Sequence, residues 1–263
     1  MAKEIIINED DAYRHFSKLA TKYRNLRITD VEPILYIKNK LKEKSKISLA
    51  DVGCGDGRYS LKLLQSLGKN CYLYCVEPNE NMLTHLKDYL SEYKFTNFCI
   101  KKGYAERLPL KTDSMDCVVT FNTLNHIKLK KFLDEVSRCL VHDGILFIYT
   151  RLRDQNSRNI WGKYFPLFNN MGELFYEFDE LKHHIQQANM KVHSSKVFGF
   201  HRTSSLDILV DKAQNKYYST FDLYSEKMFE ECLEKFQKNL KENFRDLEKI
   251  KWQDEYMLLE IRR

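Results

Sequence analysis

Three of the chain's nine glycines fall within five residues, at Gly53, Gly55 and Gly57. They follow a short apolar run of strand character, ISLADV (47–52), and precede an amphipathic stretch at about 57–67 that reads as a helix. Glycine has no Cβ, so such a loop turns sharply and lets a ligand lie against its backbone. The helix start beyond it offers N–H groups without partners inside the helix, a place for a carboxylate or a phosphate. Strand, glycine loop and helix together make a nucleotide-binding unit. The next apolar run, CYLYCVE (71–77), ends on an acid, Glu77, twenty residues after Gly57. That is where a carboxylate meets ribose hydroxyls in such units. A dinucleotide-binding loop carries a glycine where this chain has Arg58, which disfavours an NAD-dependent dehydrogenase.

Downstream the same rhythm continues. Strand patterns at 95–101, 115–121 and 144–150 alternate with helical patterns at 79–89 and 129–140. Continuous apolar strands between amphipathic helices define an α/β, doubly wound (Rossmann-like) sheet, mostly parallel and covered on both faces. Strand patterns at 191–200 and 252–261 bring the count to seven; the last closes the chain after a long helix at about 225–244 and is expected as an antiparallel edge strand. Upstream, 11–24 reads as a helix, and Asp30 as the N-cap of a second one reaching about Leu41. The expected organisation is an N-terminal helical segment over the site (1–46), a cofactor-binding core (47–150), and a remainder (151–263) of closing helices and strands. That remainder contains a small helical cap at about 151–225, rich in aromatics and amides.

Composition narrows the class. Apolar residues are 43%, enough for a sizeable core, and 43 basic residues against 37 acidic ones give a mild +6, which permits an anionic partner without requiring one. No apolar run approaches the ~20 residues of a bilayer span. The first residues lack a signal-peptide pattern, so a cytoplasmic protein without a membrane partner is expected. Seven cysteines, an odd number without a CxxC pair, argue for buried thiols and against a disulfide scaffold or a metal site.

Five segments in order, ADVGCGDG (50–57), VEPNENM (76–82), GYAERLPLKTDSMD (103–116), VVTFNTLNHI (118–127) and LVHDGILFI (140–148), resemble the class I S-adenosylmethionine-dependent methyltransferases of the broad UbiE-like, type 11 kind. The resemblance covers about residues 9–150. It implies S-adenosylmethionine as cofactor. Backbone contacts to its methionine part would come from Gly53, Cys54 and Gly55, and a bond from Asp51 to its amino group. Glu77 would hold the ribose hydroxyls, with Pro78, Asn79 and Met82 beside the adenine. Ala105 and Glu106 would read the adenine where the family's usual acid is replaced by Tyr104, and Asn122 would stand at the end of the fourth strand. Tyr23 and Arg27 would come from the N-terminal segment, Arg27 toward the methionine carboxylate. Methyl transfer is an in-line displacement that needs alignment more than acid–base chemistry. Where a base is needed, His126 is the candidate. Trp161, Phe165 and His201 are the candidate substrate contacts. A small molecule is the expected acceptor, closed in by the cap; an RNA acceptor, or a cofactor-binding partner protein without catalysis, are the alternatives.

Overall fold

The computed structural model describes residues 13–17, 20, 24, 27–170 and 175–263; Tyr23 lies outside the described residues. Seven strands, β1 (Ile47–Val52), β2 (Cys71–Glu77), β3 (Phe98–Lys102), β4 (Met115–Phe121), β5 (Leu140–Thr150), β6 (Lys191–Ser204) and β7 (Ile250–Arg262), form one sheet in the order β3-β2-β1-β4-β5-β7-β6. The first five are parallel, and β7 runs antiparallel to β5 with Ile145 opposite Arg262 and Thr150 opposite Met257. The closing strand is therefore one place in from the edge, and β6 forms the edge itself. β1 and β4 are buried at nearly every position, as strands covered on both faces must be.

The helices that cover the sheet begin in different ways. α1 is Glu32–Lys40, α2 Arg58–Leu67, α3 Glu80–Glu92 and α4 Leu129–Cys139. α2 starts from Gly57, which is left-handed with φ 85° and caps the helix without a side chain. α3 is capped by Asn79, whose side chain accepts from the Met82 N–H. Asp30 does not cap α1 as expected. The capping position is Val31, with a proline in the first turn, and the buried Asp30 carboxylate accepts instead from the hydroxyl of the fully buried Tyr149, at 3.1 Å.

The chain divides into two compact units. One comprises the described residues through Thr150 together with Phe178–Lys196 and Met257–Arg263; the other comprises those of Arg151–Glu177 and Val197–Tyr256. The stretch 151–225, expected as a single cap, is thus divided: α7 (Phe178–Gln187) and the first half of β6 belong with the sheet. The second unit contains the short helices α5 (Arg153–Arg158) and α6 (Ile160–Tyr164), then α8 (Leu206–Gln214) and α9 (Glu226–Asn243). Its core is aromatic. Trp161 stacks on Phe236 at 5.2 Å, meets Phe221 edge-on at 5.5 Å, and Phe165 meets Phe221 at 4.9 Å. Asn159 fixes the start of α6 by accepting from the N–H groups of Trp161 and Gly162. Arg151 is buried within the same unit, donating to the hydroxyls of Tyr218 and Tyr256 and pairing with Asp254 at 3.2 Å. Among the described residues no helix is long and apolar enough to cross a membrane.

Candidate cofactor site

From β1 the chain order runs outward through β2 to β3, and from β4 outward through β5, so the crossover direction reverses between β1 and β4. Ligands of open α/β sheets bind at the carboxyl ends of the strands beside such a switch point. A cavity opens there. It is lined by Gly53 and Gly55 after β1, Glu77, Pro78 and Asn79 after β2, and Gly103 to Glu106 after β3. Phe121 to Thr123 and His126 and Ile127 line it after β4; Met82 of α3 and Tyr13 and Phe16 of a helical stretch at 13–17 complete it.

The loop after β1 needs glycine for two separate reasons. Gly53 sits at φ 72°, and a Cβ on it would overlap Thr123 Cγ2 and stand 2.6 Å from Thr123 Oγ1, closer than such atoms can approach. Gly57 at φ 85° would press a Cβ to 2.9 Å from Leu86 of α3. The loop is fastened to the neighbouring strand by Gly53 N–H and Cys54 N–H, both donating to the Val76 carbonyl. Glu77 fastens it further: Oε2 accepts from Gly55 N–H and Oε1 from Asn79 N–H, each at 3.1 Å. One carboxylate thus joins the glycine loop to the start of α3 and still faces the cavity.

Burial governs the electrostatics. The Glu77 carboxyl is pushed up to about 7 because water is excluded from it, against the pull of the Gly55 and Asn79 N–H groups. Asp51, buried beneath the loop and accepting from the Ser60 hydroxyl at 2.6 Å, is also raised to about 7 by burial. The buried Cys54 thiol is pushed well above its ordinary value by burial, so it packs as an apolar group. His126 is pushed down to about 3, first by burial and then by the electrostatic influence of its neighbours His15 and Arg27, and is neutral at ordinary pH. It meets Phe16 edge-on at 5.1 Å.

Of the sequence-derived candidates, Gly53, Gly55, Glu77, Pro78, Asn79, Met82, Ala105, Glu106, Asn122 and His126 come together around this one cavity. Asp51, Cys54 and Arg27 are not among its lining residues. Asn122 is left-handed at φ 56°, its N–H bound to the Tyr149 carbonyl. Glu106 is partly engaged, since Oε1 accepts from the Lys128 N–H at 2.6 Å. Trp161 and Phe165 were expected at the pocket. Both are buried instead in the aromatic core of the second unit, Trp161 at 3% exposure, and neither lines the cavity. His201 is an exposed residue of β6 and does not line it either. Among the described residues no cluster of His, Cys, Asp and Glu is arranged to hold a metal.

Sequence reasoning covered Tyr13 and Phe16 only as part of a helix at 11–24 and did not single out Thr123. It also missed how the N-terminal residues are fastened. Arg24 donates to the Asp56 carbonyl at 3.1 Å, pairs with the Asp56 carboxylate at 3.4 Å and lies 3.3 Å over the Tyr89 ring. Arg58, noted only as a departure from glycine, is buried and donates to the Ile28 carbonyl at 2.7 Å. Two arginines in the right segments were visible in the sequence; their partners, some thirty residues away, were not.

Residues 50–148 match the family model described as a methyltransferase domain. Over 143 residues the chain is 32% identical to the uncharacterized protein MJ1252 of Methanocaldococcus jannaschii, a match covering 52% of this chain and 49% of that one, so it spans about half the length of that relative. A putative methyltransferase from an antibiotic biosynthesis pathway of Anabaena variabilis superposes with a TM-score of 0.64 at 22% identity, over 89% of this chain and 98% of that one. The geranyl diphosphate C-methyltransferase of Streptomyces coelicolor, solved with Mg2+, geranyl diphosphate and S-adenosylhomocysteine, gives 0.53 at 12% identity, over 87% and 80%. The segment 50–148 thus matches a methyltransferase domain, and the chain that carries it shares its seven-stranded fold with methyltransferases of known structure.

Proposed function

We propose that this protein binds S-adenosylmethionine in the cavity at the carboxyl ends of β1 to β4 and directs its methyl group to a small-molecule acceptor. The observation that carries this reading is Glu77, a buried acid that braces the glycine loop and faces the same cavity. Each of its oxygens accepts one backbone N–H and keeps a lone pair, so two adjacent ribose hydroxyls find two acceptors. The space a Cβ would fill at Gly53 admits no side chain and leaves bare backbone toward the cavity.

The bound cofactor supplies a methyl group on a positively charged sulfur, already activated for displacement. The chain's own part is to align donor and acceptor and to exclude water. Tyr13, Phe16, Phe121 and Ile127 form an apolar wall for that purpose, with Asn122 and Thr123 as polar groups at the end of β4. His126, neutral and a weak proton acceptor, belongs to the wall and not to proton removal. A small, partly apolar acceptor suits such a wall, and the small-molecule ligand of the geranyl diphosphate C-methyltransferase gives the same direction. The cytosol is the compartment we assign: all seven cysteines are free thiols, six of them buried.

Methyl-labelled S-adenosylmethionine incubated with the protein and fractionated extract tests the reading. Label is expected in the small-molecule fraction. Label in RNA would replace the acceptor class, and calorimetry showing no uptake of S-adenosylhomocysteine would overturn the cofactor assignment.

A further inference from the structure

Asn79 has no hydrogen-bonding group to spare. Its N–H donates to Glu77 Oε1 at 3.1 Å and its carbonyl accepts from Leu83 N–H at 3.0 Å. In the side chain, Oδ1 accepts from Met82 N–H at 3.1 Å, while Nδ2 donates to the Tyr13 carbonyl at 3.0 Å and to Ser17 Oγ at 2.8 Å. The amide orientation is fixed by its surroundings. Oδ1 must face the Met82 donor, which turns Nδ2 toward the Tyr13 acceptor. The residue is fully buried.

One residue therefore joins three parts of the site: its backbone N–H holds the acid Glu77, and its side chain links the first turn of α3 to the stretch 13–17 that contributes Tyr13 and Phe16 to the cavity wall. Serine and aspartate also cap helices, but neither has the paired N–H donors that reach across to residues 13 and 17. We propose that Asn79 is a positioning residue that clasps 13–17 across the cofactor cavity and sets how fast the cofactor leaves; this rests on the cavity being the S-adenosylmethionine site. Asn79 makes no hydrogen bond to the adenine in this role. Arg24 is tied down separately, at Asp56 and Tyr89, and Phe16 meets His126, so loss of the clasp loosens 13–17 without releasing Arg24.

Asn79→Ser keeps a capping oxygen for α3 and removes both donors. Its release of S-adenosylhomocysteine, followed by stopped-flow displacement, should be about tenfold faster with an unchanged association rate, as two lost hydrogen bonds suggest. Hydrogen exchange at 13–17 in the cofactor-free protein should accelerate while the melting temperature stays close to that of the parent. Ser17→Ala should move release the same way by about threefold, and Ser17→Thr, which keeps the hydroxyl, should restore it. Wild-type release from Asn79→Ser, or wild-type exchange at 13–17, would overturn the clasp; so would a large fall in melting temperature with exchange at 13–17 unchanged, which would leave Asn79 a helix cap only. If the parent protein takes up no S-adenosylhomocysteine by calorimetry, the cofactor reading fails, and the exchange measurement alone still decides whether Asn79 holds 13–17.

Discussion

At Glu77 two demands meet in one carboxylate: it must stay dry to brace the loop, and it must be charged to hold hydroxyls. Replacing it by alanine removes a charged acceptor whose hydrogen bonds are worth about 1.5–3 kcal/mol, so affinity for S-adenosylhomocysteine should fall roughly tenfold to a hundredfold by calorimetry. Because burial holds Glu77 at about 7, a large share of the cofactor-free protein carries it protonated at neutral pH. Binding selects the ionised form and releases a proton. Affinity should therefore rise with pH up to about 7 and level above it, and the binding heat should depend on the ionisation heat of the buffer. Stability runs the other way. The folded values of Glu77 and Asp51, both about 7, lie above their ordinary 4.5 and 3.8, so their contribution is complete below about pH 4 and is lost as pH rises to 7. Melting curves of the cofactor-free protein should show this fall, and Glu77→Gln should flatten it; a parent curve rising from pH 5 to 7 with the same slope as the variant would contradict it.

Among the elements, the loop after β1 tolerates little change. Gly53→Ala places a methyl group against the Thr123 side chain and holds an alanine at φ 72°. The left-handed conformation alone costs about 1–2 kcal/mol. Urea denaturation should show at least that loss, and Thr123→Ala in the same chain should recover the steric part but not the backbone part. This loop, β1, β2, β4 and β5 were legible in the sequence. Buried parallel strands read as unbroken apolar runs, and three glycines clustered after such a run mark a tight turn that a ligand can approach. The start of α1 was not legible, because the Asp30 carboxylate is claimed by Tyr149, 119 residues away in sequence, and no local pattern announces such a partner. Trp161 and Phe165 misled for a different reason: aromatics beside amides line pockets and fill cores alike, and only packing separates the two. Asn79 was legible as a site residue, but its bonds to Tyr13 and Ser17 are again long-range.

For the molecule as a whole, Trp161 belongs to stability. Trp161→Ala empties the stack on Phe236 and Phe221 and should cost about 3–5 kcal/mol in denaturant titration. Cofactor affinity per folded molecule should be unchanged; a stable variant with altered affinity would return Trp161 to the site. The sheet unit draws on three separated stretches of chain, and its strand β5 pairs on one side with β4 and on the other with Met257–Arg262, among the last residues of the sequence. On the ribosome, β5 emerges about 100 residues before that partner. At roughly 5–20 residues per second it waits about 5–20 s with one edge bare. That edge is an unbroken apolar run from Ile145 to Tyr149, the kind of template on which nascent chains pair with one another. The sheet stays half-built until the strand around Met257–Arg262 arrives, and the length of chain encoded between the two strands sets how long the bare edge is exposed.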